Sequence, residues 1–86
     1  MKVFKIDDGG VITYVIAKNE SDAIGEYVTK MNAETDCIDH ISEVALNELS
    51  SIIIHDDLSG KDISLKKLID REKYTESDIV ACSEWS

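Results

Sequence analysis

The sequence predicts an α+β fold: a small antiparallel sheet of about four or five strands with two helices, opened by an N-terminal ββα unit. Three observations carry that expectation. Two runs rich in β-branched and aromatic residues flank Asp8-Gly9-Gly10 near the start. Two polar-capped stretches, after Asn19 and after Ser64, place apolar residues at helical spacing. The β-branched run Ile52-Ile53-Ile54 and an apolar stretch from Asp78 onward supply further strands.

Residues 2–17 read as a hairpin, pairing the run Lys2 to Asp7 with Val11 to Ala17. A two-residue Asp8-Gly9 loop would set Phe4 opposite Thr13 and mix polar with apolar residues on each face. A three-residue loop sets Phe4 opposite Tyr14, Ile6 opposite Ile12 and Lys2 opposite Ile16. That register gathers Phe4, Ile6, Ile12, Tyr14 and Ile16 on one face, the pattern that burial of a single face selects, so the three-residue loop is expected. Asn19 then caps a helix over 20–31, with Glu20 and Asp22 in its first turn, Ile24, Tyr27, Val28 and Met31 along one stripe, and Gly25 and Glu26 facing water. Asn32 is suited to a left-handed stop.

In the middle of the chain, Ile41 to Leu46 and Ser51 to His55 read as strands joined by a turn at Asn47 to Ser50. Val44, Ala45, Glu48 and Leu49 also fit a short helix, but three consecutive isoleucines need a pairing strand. His55 to Gly60 reads as a polar turn. Ser64 caps a second helix over 65–72, its stripe being Leu65, Leu68 and Ile69, with Ile63 stapled to Leu68 and Arg71 and Lys73 at the end. Asp78 to Trp85 reads as a last strand with Ile79, Ala81, Ser83 and Trp85 on one face, and Trp85 closing the core. No repeat or linker interrupts the chain, so 1–86 reads as one compact domain.

Composition limits the function. The 86 residues carry 18 Asp+Glu against 9 Lys+Arg, a formal charge of −9, and 43% are hydrophobic. That apolar fraction is close to the globular norm of about 45–50% and excludes a wholly disordered acidic tail. No apolar run approaches the ~18 residues of a membrane span and no export-type h-region follows Met1, so a soluble, cytoplasmic protein without a membrane partner is expected. The negative balance argues against direct contact with nucleic-acid phosphates. Cys37 and Cys82 read as buried thiols acting as small hydrophobes; nothing demands a disulfide between them.

Candidate chemistry is sparse. Cys37 and His40 stand at C-x-x-H spacing, and His55 and Cys82 would have to complete a zinc set from separate strands, without the second close pair such sites use. Asp56-Asp57 after a strand resembles a magnesium-binding carboxylate pair, yet no G-x-x-x-x-G-K-[ST] loop accompanies it. There is no G-x-S-x-G elbow, and neither cysteine has an activating neighbourhood in the sequence. Accordingly no catalytic residue, metal ligand or cofactor is assigned, and the protein is read as a non-enzyme.

The charge distribution is more informative. From Met31 to Gly60 there is no Lys or Arg, while Glu34, Asp36, Asp39, Glu43, Glu48, Asp56 and Asp57 fall within that stretch. One face of the fold should therefore be almost purely negative. Such a face either keeps a small protein soluble or steers it onto a basic partner, such as the Lys/Arg-lined channel of a nucleic-acid-handling enzyme.

The hairpin from Met1 to Ile6 and Tyr14 to Ala17, followed by a polar cap and Asp22-Ala23-Ile24, resembles many small acidic phage-encoded proteins. So does the helix Ile63 to Leu68 followed by a strand ending Ile79 to Trp85. The resemblance covers most of the chain in outline and consists of packing and capping patterns, so no functional residue carries over from it. It implies a phage or mobile-element origin, among host-takeover factors and anti-CRISPR-like inhibitors that bind a host protein in the host cytoplasm. The expectation is a non-enzymatic binding or inhibitor protein acting on a basic host protein through the seven acidic residues. Two alternatives are a small metal-dependent enzyme or metal-binding protein built on His55, Asp56, Asp57, Cys37 and His40, and an accessory protein that oligomerises through exposed strand edges.

Overall fold

The computed structural model describes residues 1–56 and 60–82, with His55 and Asp56 described by backbone alone. In chain order the elements are β1 (Lys2–Asp8), β2 (Val11–Ala17), α1 (Glu20–Lys30), a 3-10 turn (Thr35–Cys37), β3 (His40–Val44) and a second 3-10 turn (Leu46–Glu48). They continue with β4 (Ile53–Asp56), β5 (Lys61–Ser64), α2 (Leu65–Glu72) and β6 (Asp78–Cys82). The fold is α+β with an N-terminal ββα unit. Four strands form an antiparallel sheet in the order β3-β1-β2-β6, and β4 pairs with β5 in a separate two-stranded sheet.

The central hairpin departs from the expected register. Its loop is the two-residue Gly9-Gly10, both with positive φ (58° and 92°), and Asp8 pairs with Val11, Ile6 with Thr13 and Phe4 with Val15. Such a loop needs two left-handed residues in succession, which glycine adopts without steric cost. The expected register rested on one buried face, whereas this hairpin is buried on both. Val15, Ile16 and Ala17 are consecutive and all buried. Phe4, Ile6, Val15 and Ala17 pack with Ala23 and Tyr27 of α1, while Val3 and Ile16 on the opposite face pack with Leu65 and Leu68 of α2. Residues 2–17 therefore form the middle layer of three.

Each helix forms where its cap and stripe indicate. The Asp22 N–H donates to Asn19 Oδ1 at 2.8 Å, and Asn32 takes the left-handed conformation after α1. Ala23 and Tyr27 are the buried residues of α1, with Ile24, Val28 and Met31 half-buried beside them. Glu26 is not a water-facing residue as expected; its side chain is only 20% exposed and pairs with Lys30 at 3.8 Å. In α2 the Lys67 N–H donates to Ser64 Oγ at 3.2 Å, and Leu65 and Leu68 are buried with Ile63 and Ile69 packed alongside.

The middle of the chain holds the other differences. The two central strands exist, but they do not pair with each other: β3 joins β1, with Val3 opposite Val44 and Ile6 opposite Ile41, while β4 pairs with β5. Strand β5 is not expected from the sequence, in which Ile63 and Ser64 read as capping residues alone. They do both: Ile63 pairs with Ile54, and Ser64 caps α2. The turn after β3 is a 3-10 turn over Leu46–Glu48. In β6 the expected common face of Ile79 and Ala81 is broken by a register shift opposite Tyr14/Val15. Ile79 packs on the α1 side, while Val80 and Ala81 both face the α2 side. Ser83 and Trp85 lie outside the described residues, as does the expected core-closing role of Trp85.

The radius of gyration, 12.1 Å, equals that of a compact chain of this length, about 12 Å. No described helix is long and apolar enough to cross a membrane.

Two outcomes follow from this packing. Leu65 is fully buried where α2 meets the sheet, so Leu65→Ala should cost about 2–5 kcal/mol in urea unfolding. Tyr27 is 3% exposed and its hydroxyl donates to Asp8 Oδ2 at 2.8 Å. Burial first, then the hydrogen bond to Asp8 and its charge, push the phenol from 10.0 up to about 12. The folded protein thus keeps a proton that the unfolded chain has lost, and the associated stability is complete below pH 10 and disappears as pH rises through about 12. Urea midpoints measured across that window should fall with pH, and less steeply in Tyr27→Phe; burial also raises Tyr14 and Tyr74, so some slope should persist.

Candidate functional site

Strand β3 is the terminal strand of the four-stranded sheet, and five of the seven acidic residues singled out by the sequence lie on it or on the segments beside it. The connection from α1 to β3 lays Ala33 and Ile38 against the α1-side core, which leaves Glu34 and Asp36 exposed. Glu43 is exposed on β3 itself, and Glu48 is exposed on the 3-10 turn that leaves it. These four lie on β3 or on the segments that enter and leave it.

Asp39 also lies there but has a structural task. Its Oδ2 accepts from the Gly9 N–H at 2.8 Å, and its own N–H donates to the Asp7 carbonyl at 2.8 Å. Asp7 in turn accepts from the Gly10 N–H through Oδ1 at 3.1 Å. Asp39 therefore ties the start of β3 to the β1–β2 turn. Asp56 belongs to β4, in the other sheet, where its backbone pairs with Lys61; Asp57 lies outside the described residues. The seven expected residues thus divide into an edge group, a brace, and two that the described structure does not join to that edge.

The edge is less uniformly negative than the sequence suggested. Strand β1 brings Lys2 alongside, and its Nζ lies 3.5 Å from Glu43 Oε1. Both side chains are more than half exposed, so this pair contributes about 0–1 kcal/mol. Lys5 stands opposite Ser42 in the register. The sequence reading missed these cations because residues far apart in the chain become neighbours only through the β1–β3 pairing. It also missed the large apolar side chains exposed within the same acidic stretch, Leu46 at 78% and Ile53 at 59%.

The metal-binding alternative gains no assembled site. Among the described residues, no group of three or more His, Cys, Asp or Glu is placed to hold a metal ion. Cys82 is buried, with its Sγ accepting from Thr13 Oγ1 at 3.4 Å, whereas Cys37 is exposed, contrary to the expectation of two buried thiols. Cys37 sits in a 3-10 turn between Ala33 and Ile38, the residues that face the core. The phosphate-handling reading rested on Asp56 and Asp57, which fall at the limits of the description.

A shallow open cleft lies elsewhere, lined by Lys30 at the end of α1 and by Glu72, Lys73, Tyr74 and Asp78 around the α2–β6 connection. Burial raises the Tyr74 phenol, helped by the charges of Glu72 and Asp78 and opposed by Arg71. The lining is mixed in sign and contains no His or Cys, and it does not include the acidic edge.

No family model, curated protein or solved structure matches this chain. The functional reading therefore rests on its own surface.

The thiols provide a direct check on the placement of this segment. Cys37 should react with a soluble disulfide reagent at the rate of an exposed thiol, and Cys82 only after unfolding. Native-state labelling followed by peptide mass analysis distinguishes them.

Proposed function

We propose that this protein is a non-enzymatic binding protein, encoded by a phage or mobile element, that inhibits or redirects a basic host protein. The observation that supports the reading best is the exposure of Glu43 on the outer strand β3 and of Glu34, Asp36 and Glu48 on the segments that enter and leave it. An acidic chain of formal charge −9 attracts a basic partner over a distance of about 10 Å at 0.1 M salt. Carboxylates held on a folded edge present that charge in a fixed arrangement, which favours rapid encounter and a defined docking orientation. A Lys/Arg-lined channel that normally receives phosphates is one surface of matching chemistry.

Capture of partners from a bacterial host with the tagged protein, followed by mass spectrometry, provides the binding assay. The test compares two sets of three charge removals. Glu34→Gln, Asp36→Asn and Glu48→Gln combined remove exposed edge carboxylates while sparing the Asp39 brace. Glu20→Gln, Asp22→Asn and Glu76→Gln remove the same charge from exposed positions elsewhere. The edge set should slow association with the captured protein roughly tenfold at low salt, with a much smaller change in dissociation, since steering acts on encounter. The control set should change it little. Equal losses from both sets would reduce the acidic edge to a general solubility charge and overturn the proposal.

A further inference from the structure

We propose that β3 is a strand-addition site that takes up an extended basic segment of the partner, with its backbone hydrogen-bonded along the outer edge of the sheet. This deepens the acidic-edge reading and rests on it.

The sheet order places β3 at the end, so one side of its backbone pairs with β1 and, among the described residues, no strand lies beside the other. Among the described residues, no backbone hydrogen bond reaches that outer side from a turn or loop. A row of donors and acceptors in this position is a template for another strand. The opposite edge is less suitable. Strand β6 carries a register shift against β2, and its residues from Ile79 to Cys82 are all buried. A bulge of that kind interrupts regular pairing. Strand β3, in contrast, keeps five successive pairs with β1 without a shift, and His40, Ser42 and Glu43 on it are exposed.

Charge selects the occupant. A second copy of this chain would bring another −9 and a second set of Glu34, Asp36, Glu43 and Glu48 to the same edge. Lysine or arginine on an incoming strand would instead run beside Glu43 on β3, with Glu34, Asp36 and Glu48 on the segments at its two ends. The side-chain alternation along β3 narrows the choice further. Ile41 and Glu43 share the α1 side, as shown by their pairing with Ile6 and Phe4, whereas His40 and Ser42 point to the other side. Ile41 and the nearby Ile38 are half-buried at the rim of the α1-side core, so apolar surface lies beside the Glu43 carboxylate. A matching strand would carry an apolar residue and a Lys or Arg two positions apart on one face, with small polar residues on the other.

A synthetic peptide of repeating Lys-Thr-Val-Thr, long enough to span β3, is the probe. Two derivatives are N-methylated on alternate backbone nitrogens, one at the Lys and Val positions and one at the Thr positions. In an added strand, successive N–H groups point to opposite sides, so only one derivative loses the bonds to β3. The unmodified peptide should bind at low salt and slow hydrogen exchange at alternate amides from His40 to Val44. One derivative should bind roughly tenfold or more weakly while the other binds within about twofold of the parent. If both derivatives bind like the parent but the Glu34→Gln, Asp36→Asn, Glu48→Gln variant does not, the acidic surface stands and strand addition is overturned. Absence of peptide binding, or protection at β6 instead of β3, also overturns it while leaving the capture experiment to judge the acidic edge. Protection of β3 that rises with protein concentration alone would assign the edge to a second copy and overturn the basic occupant.

Discussion

Burial of the β1–β2 hairpin on both faces is the constraint on which the rest of the structure depends. Val15, Ile16 and Ala17 follow one another in sequence and alternate between two cores, one beneath α1 and one beneath α2 and the β4–β5 hairpin. A sheet with two apolar faces must be covered on both, and the chain supplies one amphipathic helix for each. The register of the hairpin follows from the same requirement. A one-residue slip would exchange the residues facing α1 with those facing α2, leaving Phe4 and Ile6 against the wrong layer. The Gly9-Gly10 loop, with two left-handed residues, makes the observed register accessible, and hydrogen bonds donated by the Gly9 and Gly10 N–H groups to the Asp39 and Asp7 carboxylates hold it.

This arrangement determines where the acidic stretch lies. The connection after α1 crosses the α1-side core with Ala33 and Ile38 facing inward, then enters β3 beside β1. Because β1 is already paired with β2, β3 can join only at its outer side, where it becomes an edge. The carboxylates of residues 34–48 are therefore displayed by topology as much as by composition. Charge on an edge strand also discourages indiscriminate strand pairing.

The acidic residues are not equivalent. Asp39 is engaged with the turn of the hairpin and Glu43 with Lys2, while Glu34, Asp36 and Glu48 extend from segments whose apolar residues do the packing. An exposed ion pair is a small energetic effect, so the field of the edge is set by the arrangement of several carboxylates rather than by any one contact. Asp8 illustrates the opposite case: its carboxylate meets the phenol of Tyr27 at the margin of the core, where removal from water strengthens the interaction.

Local signals were sufficient for the parts of the fold governed by neighbours in sequence. Asn19 and Ser64 mark their helices because a side-chain acceptor reaches the free amides of the first turn, and Asn32 stops α1 because it tolerates a positive φ. The apolar periodicity identified both helices, and β-branched runs identified most strands. What the sequence could not determine was how many faces of the hairpin would be covered, since an alternation of Phe4, Ile6, Val15 and Ala17 with Val3, Tyr14 and Ile16 fits either a mixed register or two cores. The partners of β3 and β4, the double use of Ile63 and Ser64, and the turn of β6 at Val80 likewise depend on contacts between distant residues. For the candidate surface, the deficit of Lys and Arg from Met31 to Gly60 was legible as charge, but its location was not. Only tertiary pairing brought Lys2 to Glu43, exposed Cys37, committed Asp39 to the hairpin turn and put Glu34, Asp36 and Glu48 on the segments that flank an edge strand.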